Sequence, residues 1–145
     1  MKIDSRTVYT MLSKRYPNAD VYVLDDEYEV PTKDMLKVAY DKFQKSLWKW
    51  NLFKWVRNKF DCEDFAWCFK ASVTVGNALS KNSNAQPVGF MCYFIGGEDG
   101  QGHAINNAVF SDGEYRRIRE IEPQPNKGLI ELTEEERESV WLVVI

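Results

Sequence analysis

Apolar positions recur at helical spacing in three stretches of the sequence. Val8, Met11 and Leu12 mark a helix from Ser5 to about Tyr16, closed by the turn Tyr16-Pro17-Asn18. Pro31-Thr32 opens a second helix, in which Met35, Leu36, Ala39, Tyr40 and Phe43 share one side as far as about Gln44. The strongest signal runs from Cys62 to about Ser80. There Cys62, Phe65, Ala66, Phe69, Val73 and Gly76 form one stripe and Trp67, Ala71, Val75 and Ala78 a second, which predicts a central helix covered on both sides. Asp61 stands where an N-cap would accept the free N–H groups of the first turn, so Cys62 begins the helix with its sulfur toward the packed body.

The pattern then changes period. Val21 to Leu24 reads as a short early strand, Asn77 to Pro87 as a polar loop and Val88 to Ile95 as a strand. Gly96 to Gly102 is a flexible connection. It is acidic, has no Lys and leads into a strand, so it is not a phosphate loop. His103 to Phe110 and Tyr115 to Glu122 flank Ser111-Asp112-Gly113-Glu114, and Asp-Gly favours a two-residue hairpin turn. In that register Ser111 faces Glu114, and His103 faces Glu122 on the same side with Cβ atoms roughly 4.5–5.5 Å apart. Thr133-Glu134-Glu135-Glu136 is a capped helical turn, and Trp141 to Ile145 is a final strand, possible within the sheet. Helices followed by strands predict an α+β class, with the central helix carrying Cys62 at its N-terminus on an antiparallel sheet.

With 145 residues, 44% of them hydrophobic, one domain over 1–145 is expected: a mainly helical lead-in over 1–60, then the central helix and sheet over 61–145. A net charge of −3 gives no general reason to expect nucleic acid as the main partner. Neither a leader-like N-terminus nor a long apolar run is seen, so a cytoplasmic protein away from membranes is expected. The three cysteines, Cys62, Cys68 and Cys92, cannot all pair and lack zinc-site spacing, so neither a disulfide scaffold nor a metal or other cofactor is expected.

Lys42 to Lys59 interleaves Trp48, Trp50 and Trp55 with Lys45, Lys49, Lys54 and Arg57. Rotated at helical pitch, its aromatics do not gather on one face. A helix that breaks near Asn51 and an aromatic-lined core or groove edge are expected, with a membrane or nucleic-acid surface as the lesser reading.

A cysteine at a helix N-terminus, the single histidine and a carboxylate facing it make the set needed for thiol nucleophilic chemistry. The imidazole takes the thiol proton and the carboxylate orients the imidazole. Each residue also has a structural role open to it: Cys62 as a buried thiol, His103 as a hydrogen-bonded strand residue, Glu122 as a strand-end acid. Asp61-Cys62-Glu63-Asp64-Phe65-Ala66, then Gly102-His103-Ala104-Ile105-Asn106, then Ile121-Glu122-Pro123-Gln124, resemble the transglutaminase-like branch of the papain-like cysteine peptidase superfamily, in its small bacterial and phage members. The resemblance implies Cys62 as nucleophile, His103 as base and Glu122 as orienting acid. Asp61, Asp64, Asn106 and Gln124 are supporting or ligand-contacting candidates from the same blocks, and Trp55 is one from the preceding aromatic stretch. The function expected on this basis is a cysteine-dependent hydrolase or acyltransferase. It would act on an amide or thioester-like carbonyl of a peptide, protein or small amide substrate through an acyl-cysteine intermediate. The alternatives are a catalytically silent binding module of the same fold and an adaptor for nucleic acid or membrane surfaces.

Overall fold

The computed structural model describes residues 1–57, 59–81 and 84–145. Strand β1 (Lys2–Asp4) leads into helix α1 (Ser5–Arg15), then strands β2 (Asp20–Tyr22) and β3 (Glu27–Glu29) and helices α2 (Lys33–Lys49) and α3 (Cys62–Ala78). Strands β4 (Val88–Ile95), β5 (Gln101–Ser111), β6 (Arg116–Glu122) and β7 (Gly128–Ile130) follow, then helix α4 (Glu134–Glu138) and strand β8 (Leu142–Val144). Asn82 and Ser83, within the stretch expected to be a polar loop, lie outside the described residues.

The helices begin where short polar side chains can take their orphan amides. Asp4 Oδ1 accepts from Thr7 N at 2.8 Å, and Thr32 Oγ1 from Met35 N at 3.2 Å. At α4 the bonding is reciprocal: Thr133 Oγ1 accepts from Glu136 N at 3.2 Å while Glu136 Oε2 accepts from Thr133 N at 3.0 Å. Helix α2 continues past Gln44 because Leu47 extends the buried side begun by Leu36 and Phe43. It stops at Trp50, and the next residue, Asn51, takes the left-handed conformation (φ 59°) that Asn tolerates.

The main sheet has six strands in the order β2-β8-β4-β5-β6-β7, and β1 pairs with β3 in a separate two-stranded sheet. The expected all-antiparallel sheet is corrected here. Strand β2 runs parallel to β8, pairing Asp20 with Leu142 and Tyr22 with Val144, so the sheet is mixed. The final strand is interior, with β4 antiparallel on its other side.

Alternation along β5 divides the molecule into two layers. Ile105 and Val109 face a core with Val8, Leu12 and Tyr16 of α1, while Ala108 and Phe110 face a core with Leu36, Phe43, Phe65 and Phe69 of α2 and α3. Helix α3 is covered on one side only, contrary to its two apolar stripes. Phe65, Ala66, Phe69 and Val73 are buried, whereas Trp67, Ala71, Val75 and Ala78 are exposed. Gly89 on β4 is glycine because of close approach: a Cβ there would lie 2.5 Å from Asn107 Oδ1 and 2.8 Å from the Val144 carbonyl oxygen.

The β5–β6 hairpin also differs from the two-residue turn. Ser111 pairs with Arg116 and Asn106 with Ile121, which leaves Asp112 to Tyr115 as the connection. Gly113 there adopts φ +110°, and Asp112 N donates to the Tyr115 carbonyl at 3.2 Å. The register is shifted by two residues. A shift of one would have turned Glu122 to the other face, but a shift of two preserves it.

Candidate functional site

Asp61 is the N-cap of α3, in extended conformation, and its N–H donates to Asp64 Oδ2 at 3.2 Å. This fixes the first turn, and with it Cys62. The Cys62 side chain is partly buried against Ala66, Phe90, Cys92 and Ala104, so the α3 N-terminus meets β4 and β5 at the sulfur. Two buried bonds hold helix and sheet together beneath it: Asn106 Nδ2 donates to the carbonyls of Ala66 and Gly89, both at 2.9 Å. Asn106 is therefore a structural tie between α3 and β4. Its Oδ1 has no partner among the described residues.

With the observed register carried one residue further, Glu122 lies opposite Ile105, and His103 becomes its diagonal neighbour on the same face. Diagonal pairs sit roughly 7–8 Å apart, within reach of long side chains. The two meet: His103 Nε2 lies 2.6 Å from Glu122 Oε2, with side chains only 13% and 9% exposed. The other carboxylate oxygen, Oε1, accepts from Gln124 N at 3.1 Å. Gln124 thus supports the acid through its main chain.

Helix α2 fixes the turn that follows Glu122. Tyr40 Oη donates to the Gln124 carbonyl at 3.1 Å and accepts from Lys127 N at 3.0 Å, and Gln44 Nε2 donates to the Pro123 carbonyl at 2.8 Å. The sequence reading missed Tyr40 and Gln44. It also missed Tyr93, which pairs with His103 across the β4–β5 ladder and packs edge-on against the imidazole at 5.7 Å between ring centres. Strand pairing would have found Tyr93 once β4 and β5 were placed side by side. Trp55 lies in the segment after α2, half exposed, and no ring contact or hydrogen bond joins it to Cys62, His103 or Glu122 among the described residues.

Burial disfavours charge on His103, but hydrogen bonding to Cys62 and Glu122, and their charges, outweigh it. The imidazole is pushed up from 6.5 to about 9. His103 is then an imidazolium at neutral pH, flanked by a sulfur and a carboxylate. The other two thiols differ. Burial, followed by the charges of Cys62 and Glu63, pushes Cys92 up to about 11, and burial together with Asp64 raises Cys68. Cys62 Sγ also lies 3.3 Å from Glu63 Oε2, so an acid competes with His103 for the sulfur. Ligand atoms of Asp61, Cys62 and Glu63 converge within 4.8 Å, the one such grouping among the described residues. Chemically, the arrangement is that of a thiol with a protonated imidazole beside it and amides of a helix start around it, suited to bonding an electrophile.

The family model for the ricin-type beta-trefoil lectin C-terminal domain matches residues 4–143. The chain belongs to that family. Two solved structures share its fold: a PSL1a–E64 complex (TM-score 0.75, 23% identity, 99% of this chain and 51% of that one) and a Polyporus squamosus lectin. The latter is bound to the human-type influenza-binding epitope Neu5Acα2-6Galβ1-4GlcNAc (TM-score 0.75, 22% identity, 99% of this chain and 49% of that one). This chain thus spans about half the length of the structures it matches. No curated protein matches the sequence.

These matches correct the expectation from the motif blocks. The chain belongs to the lectin C-terminal domain family and has the fold of those two solved chains, not that of a transglutaminase-like or papain-like peptidase. The hydrolase or acyltransferase reading and its peptide or amide substrate rested on that resemblance and fall with it. The binding-module alternative fits the lectin family better. Among the described residues no helix is long and apolar enough to cross a membrane.

Proposed function

We propose that residues 1–145 form one ligand-binding module of a lectin-type protein, and that its ligand is held at Cys62, His103 and Glu122, with Cys62 as the group that bonds to it. The observation that carries this reading is the shielded His103–Glu122 pair at 2.6 Å, its imidazole also engaged by Cys62 at the start of α3. A purely structural thiol has no need of an oriented, protonated imidazole beside it. The similar structure in complex with E64 supports a small-molecule site in this fold. Glycan recognition by the whole protein would carry the module to glycosylated surfaces. The test is native mass spectrometry of the chain with E64. A one-to-one complex is expected for the unaltered chain, none for Cys62→Ala, and a weakened one for His103→Ala. A complex that survives Cys62→Ala would overturn the placement.

One observation favours a second reading, in which this chain contacts glycan directly. The Trp67 indole, 48% exposed, lies flat against Phe90 at 4.3 Å and 7°, and Phe90 packs in the same cluster as Cys62. An aromatic face held rigidly in this way is a platform for the apolar face of a sugar ring. Titration with Neu5Acα2-6Galβ1-4GlcNAc, compared with Trp67→Ala, separates the two readings.

A further inference from the structure

Residues 42–59 contain Lys42, Lys45, Lys49, Lys54, Arg57 and Lys59 and no acidic residue, in a chain whose net charge is −3. All six basic side chains are exposed, and among the described residues none forms an ion pair with an acid. The same segment holds Trp48, Trp50, Trp55 and Val56 in solvent at 62, 54, 48 and 45% exposure, so these three indoles do not line a core. The segment is tied down. Leu52 N donates to the Leu47 carbonyl at 2.9 Å, and Val56 and Phe60 exchange bonds of 2.8 and 2.9 Å. Leu52 and Phe60 turn inward against the α2–α3 core while the indoles face out. The end of α2 and the segment after it are therefore two-sided: apolar anchors below, and indoles among positive charges above.

We propose that this surface, the end of α2 with the segment after it, docks the chain on an anionic lipid surface. Indoles favour the interfacial zone of a bilayer, where an apolar ring with a polar edge satisfies both sides, and lysines there gain from negative headgroups. Single-stranded nucleic acid fits less well. Base stacking needs free ring faces, and Trp48 already spends one on Phe53, stacked at 4.5 Å and 16°. The acidic remainder of the chain orients the approach, with this surface foremost.

The experiment is co-sedimentation of the full chain with phosphatidylcholine vesicles, with and without phosphatidylserine, together with tryptophan emission. Binding and a blue shift are expected only with phosphatidylserine, and both should fade from about 0.1 M to about 1 M salt as screening shortens. Combining Lys45→Glu, Lys49→Glu, Lys54→Glu and Arg57→Glu should weaken binding by more than about 100-fold, each lost charge accounting for about fivefold. Trp50→Ser with Trp55→Ser should reduce the blue shift to what Trp48 alone supplies. No sedimentation with phosphatidylserine vesicles, salt-insensitive binding, or tighter binding to a single-stranded oligonucleotide than to vesicles would each overturn the proposal. None of these readouts depends on Cys62.

Discussion

Glu120→Ala is expected to cost about 3 kcal/mol of folding stability, the low end of the range for breaking a buried ion pair. Glu120 is fully buried on β6, two residues before Glu122 on the same face. Its Oε1 accepts from Arg15 Nε at 2.7 Å and from Tyr16 Oη at 2.8 Å, and its Oε2 from the Arg15 guanidinium at 3.1 Å. Burial and the neighbouring carboxylate hold Tyr16 well above its usual range, so its hydroxyl stays a donor. Removing the acid leaves that donor orphaned inside the protein and the Arg15 charge without its partner. The low end applies because the Arg15 side chain is 23% exposed and keeps a route to water. Urea melts measure the loss. Glu131→Ala, which removes a surface pair with Arg119, serves as the control and should leave the midpoint unmoved. Equal midpoints for Glu120→Ala and Glu131→Ala would show that α1 is not pinned to β6 through this acid.

The second large effect concerns Cys62. His103→Ala is expected to slow alkylation of Cys62 at neutral pH by at least about tenfold, because the positive imidazolium that favours the thiolate is gone. Glu122→Gln should fall between that variant and the unaltered chain, since it leaves the imidazole in place but without its charged partner. Cys68 and Cys92, both pushed up largely by burial, should react slowly in every variant, so peptide mapping can isolate the Cys62 signal. The sign of the pH dependence follows from His103. Its folded value, about 9, lies above the ordinary 6.5, so the folded protein holds the proton more tightly. The stability it contributes is complete below about pH 6.5 and is lost as pH rises through about 9. The difference in melting temperature between the unaltered chain and His103→Ala should narrow over that window.

The sequence pattern placed the long helices because each is signalled locally: an N-cap residue, an apolar side and a stop. Asp61 and Cys62 begin α3 where the cap requires. What it misplaced depends on contacts distant along the chain. The pairing of β2 with β8 joins three-residue strands from opposite ends of the sequence, too short for either to announce a partner. The second stripe of α3 reads as buried by composition, but Trp67 and Val75 stay in solvent because no layer covers them. His103 and Glu122 came together despite a hairpin register wrong by two, because parity along β5 and β6 decides the face and two residues do not change it. The family was not legible. A capped helix start with a thiol, a strand histidine and a turn-proximal acid are local chemistry, and the wider chain assigns them to a lectin C-terminal domain.

The central claim is that Cys62, His103 and Glu122 act as one unit. The rate of Cys62 alkylation by iodoacetamide from pH 5 to 10, in the unaltered chain and in His103→Ala, tests it most directly. The account predicts a faster rate in the unaltered chain below about pH 9, with the two profiles converging above it as His103 loses its proton. Superimposable profiles would contradict it.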